Sequence, residues 1–105
     1  MQIEFDKIYL RELYEDGKCS DKKHRFQPQV VLKYQKRIDT LMAAVRKEDL
    51  FVLRSLSFEA LHGDKEGLYS IRVDGQYRIE FTLTDDIERP VITIACIIEL
   101  SNHYK

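Results

Sequence analysis

The chain has 105 residues, of which 17 are Lys or Arg, 18 are Asp or Glu and 44% are apolar, for a formal net charge of −1 at neutral pH. That length and composition suit one soluble domain over residues 1–105 with a core that needs neither disulfides nor metal. The longest apolar run, residues 91–98 between Pro90 and Glu99, is far too short to cross a bilayer. Met1 is followed by no basic region with an apolar stretch behind it, so no secretion leader and no membrane partner are expected, and the cytoplasm is the expected location. Cys19 and Cys96 are far apart and form no Cys-x-x-Cys or Cys/His cluster, which fits a reducing cytosol and argues against both a zinc site and a disulfide framework. Cys96 reads as core packing and Cys19 as a loop thiol.

In chain order, residues 1–5 alternate as a short first strand. Asp6 then stands where it can cap a helix whose apolar positions Tyr9, Leu10, Leu13 and Tyr14 recur at helical spacing up to a stop at Gly17. Residues 19–26 form a polar, lysine-rich loop. Pro28 suits the first turn of a second helix, along which Val31, Tyr34, Ile38, Leu41 and Val45 make a one-sided apolar stripe. Lys33, Lys36 and Arg37 lie on its other face. Residues 49–57 read as a short helix leading into extended chain around Phe58 and Leu61. A β-hairpin follows over residues 63–81, then a polar turn at 84–89 and a last strand over 91–100. Both parities of that last strand are apolar, which places it centrally in its sheet. The order gives an α+β fold of two layers, an antiparallel sheet with an N-terminal helical pair packed on one face.

Within the hairpin the loop length decides which side chains are neighbours. A two-residue Asp74-Gly75 turn would mix core and solvent on each face. A three-residue loop of Val73, Asp74 and Gly75, with Gly75 in the left-handed conformation, instead unites Tyr69, Ile71, Tyr77, Ile79 and Phe81 on one face. Ser70, Arg72, Gln76, Arg78 and Glu80 then share the opposite face, with Arg72 and Arg78 as diagonal neighbours roughly 7 to 8 Å apart. Two such cations mark either an anion-binding face or a solvated one with Glu80 as counter-charge. Charge is also segregated along the chain. Residues 7–37 carry nine Lys and Arg against four acids, a net of +5, so the remainder carries −6. That asymmetry fits a surface for a polyanion or an acidic partner, or else a pair of solvated helix faces.

No P-loop, dinucleotide fingerprint, zinc-binding helix or nucleophile elbow is present. What remains is His62 and Lys65 before the hairpin, Arg72 and Arg78 on it, and His103 with Tyr104 beyond the last strand. These are the residue types that metal-free cleavage of an RNA phosphodiester requires. A base removes the 2′-hydroxyl proton, a cation balances charge on the phosphorane-like transition state, and an acid protonates the leaving 5′ oxygen. Arginine suits the second role because its planar fork matches a phosphate.

The strings Leu61-His62-Gly63-Asp64-Lys65-Glu66-Gly67-Leu68-Tyr69-Ser70-Ile71-Arg72-Val73 and Gln76-Tyr77-Arg78-Ile79-Glu80-Phe81 resemble the HigB branch of the RelE/ParE toxin superfamily. The resemblance is specific over residues 58–81 and looser over the helices and last strand. It implies a toxin of a type II toxin-antitoxin pair, a ribosome-dependent, metal-free mRNA endonuclease without cofactor, silenced by a cognate helix-turn-helix antitoxin. Arg78 matches the family's most characteristic strand arginine and takes the role of phosphate-stabilising cation. Arg72 lies one strand position from a frequent second basic residue and takes a supporting contact. His62 or Lys65 is implied in phosphate contact or proton transfer. Where the family commonly ends in an Asp-Tyr-His type triplet, this chain reads Glu99-Leu100-Ser101-Asn102-His103-Tyr104-Lys105, which makes His103 the first candidate acid or base and Tyr104 the second. Glu59 stands near a position where some members place a histidine. Lys33, Lys36 and Arg37 belong to the positive stretch expected to meet RNA phosphates. The same superfamily leaves two other readings open, a ParE-like DNA gyrase inhibitor and a non-catalytic antitoxin-binding domain.

Overall fold

A computed structural model describes residues 1–102, so His103 and Tyr104 lie outside the described residues. The chain order is β1 (Gln2–Phe5), α1 (Ile8–Asp16), α2 (Pro28–Ala43), α3 (Lys47–Val52), β2 (Glu59–Ala60), β3 (Tyr69–Arg72), β4 (Tyr77–Asp85) and β5 (Thr93–Asn102). The five strands form one sheet in the order β1-β5-β4-β3-β2. Four of them run antiparallel as a meander, and β1 joins β5 in parallel at the far edge. The last strand is an inner one, as its two apolar parities require. Among the described residues no helix is long and apolar enough to cross a membrane.

Local chemistry explains most boundaries. Gly17 ends α1 at φ 75°, a left-handed conformation that costs glycine nothing. Pro28 opens α2 at its first helical position. Asp6 does not cap α1. The cap position is Lys7, and the Asp6 amide instead donates to the Ile97 carbonyl at 2.8 Å, prolonging the β1–β5 pairing. The stripe of α2 also stops short of Val45. The helix ends at Ala43, Ala44 turns to extended backbone and is buried in its place, and Val45 is left 65% exposed. Residues 63–68 are not strand, since Gly63–Lys65 form a 3-10 turn and the hairpin proper begins at Tyr69.

The helices cover one sheet face only. Leu10, Leu13, Tyr34, Ile38 and Leu41 from α1 and α2 pack on Ile71, Ile79, Phe81, Ala95 and Ile97. A bulge between Glu80 and Phe81 lets Glu99 pair with Glu80 and Ile97 with Phe81, leaving Ile98 unpaired. It reverses the parity of β5, so that both Ile97 and Leu100 reach the core, and Lys7 Nζ bonds the freed Ile98 carbonyl at 2.6 Å. Cys96 is half-buried on the uncovered side and is not a core residue; burial raises its thiol pKa.

A second apolar cluster anchors the lead into β2. Phe58 stacks on Tyr69 with ring centroids 5.4 Å apart and on Phe81 at 6.2 Å, while Phe51 of α3 meets it edge-on at 4.8 Å. Such pairs contribute about 0.5 to 1.5 kcal/mol each beyond area burial. The lysine-rich loop is pinned similarly. His24 stacks on Tyr9 at 3.7 Å and Phe26 meets Tyr77 edge-on at 5.5 Å.

Tyr34 is fully buried and its hydroxyl donates to the Leu10 carbonyl at 2.8 Å, tying α2 to α1. Tyr34→Phe is expected to lower stability by about 1 kcal/mol, read as a reduced urea midpoint with an unchanged slope. An unchanged midpoint would show that the bond carries no net stability.

Candidate nucleic-acid interface

The hairpin register decides what the uncovered face carries. Arg72 pairs with Arg78, Ser70 with Glu80 and Tyr69 with Phe81. The expected facial sorting follows, but the loop runs over residues 74–76 and not 73–75, closed by the Val73 amide on the Tyr77 carbonyl at 2.9 Å. Gly75 is not left-handed. The turn is made by Asp74, whose Oδ1 accepts from the amides of Gln76 and Tyr77, both at 2.8 Å. Arg72 and Arg78 are therefore directly opposite each other and not diagonal.

Like charges in that relation repel, and the two side chains diverge. Arg72 is exposed and folds over the turn, its Nε donating to the Asp74 carbonyl at 3.1 Å. Arg78 turns inward and is 96% buried. Its Nη1 meets Glu59 Oε1 at 2.6 Å and donates to Ser70 Oγ at 3.0 Å. Its Nε is buried and, among the described residues, has no hydrogen-bond partner. Beside it on the same face Glu80, 2% exposed, is held by Lys65 Nζ at 2.6 Å. The expected open pair of guanidinium groups is thus replaced by a compact set, Arg78, Glu59, Ser70, Lys65 and Glu80. Desolvating an ion costs several kcal/mol, and its partner offsets that cost only at close range. Hence both acids sit at 2.6 Å from their cations.

Arg72 belongs to a second feature. A cleft of about 390 Å³ runs where α2 passes the hairpin tip, lined by Lys33, Lys36, Arg37, Arg72, Ser55 and Asp74. Arg37 Nε bonds the Arg72 carbonyl at 2.8 Å, fixing helix to hairpin. Four cations face one acid there, and that acid is already occupied by the turn. A larger groove of about 660 Å³, between α3 and the β4–β5 turn, is lined by Tyr69, Leu83 and Val91 among others and takes in neither Arg78 nor the basic cleft. His62 is apart from Arg78's partners, 82% exposed with Nδ1 3.6 Å from Glu66. Among the described residues no group of three or more His, Cys, Asp and Glu converges on a metal position.

The partner that sequence reasoning missed is Glu59. Its signal was the apolar Phe58 beside it, since adjacent residues in extended chain face opposite ways. With Phe58 stacked on the helix side, Glu59 pairs with Ser70 and faces Arg78.

The family model described as "RelE-like toxin of type II toxin-antitoxin system HigB" matches residues 3–91. The chain belongs to the HigB-like toxin family. Toxin HigB-1 of Vibrio cholerae is 35% identical over 88 residues, 83% of this chain and 88% of that protein. The YoeB/ParE toxin from Agrobacterium tumefaciens superposes with a TM-score of 0.58 at 17% identity, covering 99% of this chain and all of that one. A chain of the YoeB-YefM complex from Staphylococcus aureus gives 0.53 at 17% identity, covering 99% of this chain and 98% of that one. These two likenesses show the fold alone. The HigB-like chain is therefore a type II toxin-antitoxin toxin with a RelE-like α+β fold.

The Lys65–Glu80 pair yields a stability test. Lys65→Met leaves a buried carboxylate without its cation and is expected to cost about 1 to 3 kcal/mol in urea unfolding. The double change Lys65→Met with Glu80→Met is expected to recover most of that loss. A double variant no more stable than the single one would mean that Glu80 is compensated from elsewhere.

Proposed function

We propose that this HigB-like toxin is a metal-free endonuclease of ribosome-bound mRNA, with Arg78 as the cation that stabilises the reacting phosphate. The observation that carries the reading is the buried Arg78 guanidinium, held on the helix-free face with an N–H that no described residue satisfies. A fixed cation in a water-poor position stabilises developing charge far better than one in bulk solvent. In the reaction the 2′ oxygen attacks its neighbouring phosphorus and the P–O5′ bond breaks. The products are a 2′,3′-cyclic phosphate and a 5′-hydroxyl. Ser70 orients the guanidinium, and Lys65 neutralises the neighbouring Glu80 carboxylate, which would otherwise repel a phosphate on the same face.

His103 and Tyr104 are the proposed proton carriers, one taking the 2′-hydroxyl proton and the other supplying the 5′ oxygen. Support comes from the register of β5 over the described residues, which pairs Ser101 with Arg78 and Asn102 with Tyr77. His62, almost fully exposed, is proposed as an outer phosphate contact. The cleft of Lys33, Lys36, Arg37 and Arg72 is proposed to hold RNA backbone. A cognate antitoxin is the proposed protein partner, supported by the toxin-antitoxin complex RelBE2 of Mycobacterium tuberculosis among the structural neighbours, and a helix-turn-helix antitoxin is the class that the sequence resemblance implies. The cytoplasm, where ribosomes are, is the proposed location.

Induced expression tests the reading. The wild type should arrest growth and leave codon-spaced cuts in translated messages by primer extension. Arg78→Gln should remove both by at least about a hundredfold while keeping the wild-type circular dichroism. His103→Ala with Tyr104→Phe should also be silent. Full toxicity of either variant, or DNA breaks with intact message, would refute the nuclease.

The basic cleft makes a separate prediction. Lys33→Glu with Lys36→Glu should weaken ribosome or RNA binding without sequence preference and make it less salt-dependent, the log-log slope falling by about one to two units. An unchanged slope would show that the cleft meets no phosphates.

A further inference from the structure

We propose that Glu59 is an internal occupant of the phosphate seat on Arg78, a carboxylate that an incoming phosphodiester must displace. The inference rests on the proposed role of Arg78 and adds to it a device that holds the site closed in the free protein.

The two partners of this ion pair differ in freedom. The Arg78 side chain is 5% exposed and that of Glu59 is 53% exposed. Arg78 is further held by Ser70 Oγ at 3.0 Å, which remains when Glu59 leaves. Among the described residues the Glu59 carboxylate contacts Arg78 alone, and rotation about its own side-chain bonds returns it to water. Its backbone need not move, because β2 pairs Glu59 with Ser70 and the preceding Phe58 is clamped by Phe51, Tyr69 and Phe81 on the other face.

The contact itself is incomplete. Glu59 and Ser70 both meet Nη1, at one end of the guanidinium, while the Nε hydrogen on the side-on edge has no acceptor among the described residues. A pair retained only for stability would be expected to satisfy that buried donor, since leaving one unmade costs about 1 to 3 kcal/mol. A phosphodiester has two non-bridging oxygens and can engage the guanidinium at two points, as a fork-shaped cation favours. The ligand thus completes what the carboxylate leaves open, and the two anions cannot share the seat without repulsion. In consequence the free toxin holds an isolated phosphodiester weakly. Binding becomes favourable only where further contacts, such as those of the basic cleft, are made at the same time.

The test is equilibrium binding of a 2′-deoxy dinucleotide, which carries the phosphodiester but no attacking hydroxyl, to the full chain at fixed ionic strength. Glu59→Gln keeps a hydrogen-bonding oxygen and removes the charge. It is expected to bind about tenfold more tightly than wild type, and Glu59→Gln with Arg78→Gln should lose that gain. Thermal melts of each variant establish that it is folded, and a merely structural pair would shift the melt without tightening binding. Equal or weaker binding by Glu59→Gln, with binding still lost in Arg78→Gln, would overturn this inference and leave the phosphate role of Arg78 standing. Binding unaffected by Arg78→Gln would overturn that role as well.

Discussion

The β3–β4 register is the constraint on which the rest of the molecule depends. With Arg72 opposite Arg78, every second residue from Tyr69 to Phe81 is committed to the helical layer, and every other one to the uncovered face. A slip of one residue would bring Arg78 and Glu80 under α1 and α2 and expel Ile79 and Phe81, reversing core and surface together. The fully buried Ile71, Ile79 and Phe81 hold that register through apolar burial of about 1.5 to 3 kcal/mol each. The charged face is therefore positioned by the core behind it.

Electrostatics then divide that face. Two guanidinium groups on paired positions cannot both lie flat without an anion between them, and the structure separates them. One enters a seat formed by Glu59 and Ser70, and the other turns to the hairpin tip beside Arg37. The buried member is the costly one, since a desolvated cation requires a close counter-charge. Its partner comes from the edge strand β2, the shortest in the sheet, whose placement relies on the stacking of Phe58. An aromatic cluster on one face thereby sets the chemistry of the other.

A net charge near zero conceals two distinct fields. The excess of positive charge over residues 7–37 becomes, after folding, a lysine-rich loop pinned by Tyr9 and Tyr77 and one wall of a basic cleft against the hairpin. On the uncovered face Arg78 is balanced by Glu59, and the neighbouring Lys65 by Glu80. A HigB-like toxin built this way keeps its exposed cluster of cations apart from the buried one. Charge in the exposed cleft is screened by salt, whereas the Arg78 ion pair lies where water is scarce.

The sequence by itself determined the layers, the stop at Gly17, the start at Pro28, the inner position of the last strand and the sorting of the hairpin, because helical and strand periodicities are local properties of side-chain spacing. It also carried the family in the Leu61–Val73 and Gln76–Phe81 strings. Tertiary structure alone decided that the helical stripe ends before Val45, that the Asp74 carboxylate and not a left-handed Gly75 makes the turn, and that Arg72 and Arg78 part company. It also decided that Glu59 is the partner of Arg78, 19 residues away in the chain. These outcomes turn on which distant groups come within a few ångströms, and whether a charge lies bare or paired is a property of the folded neighbourhood that no spacing within one strand can express.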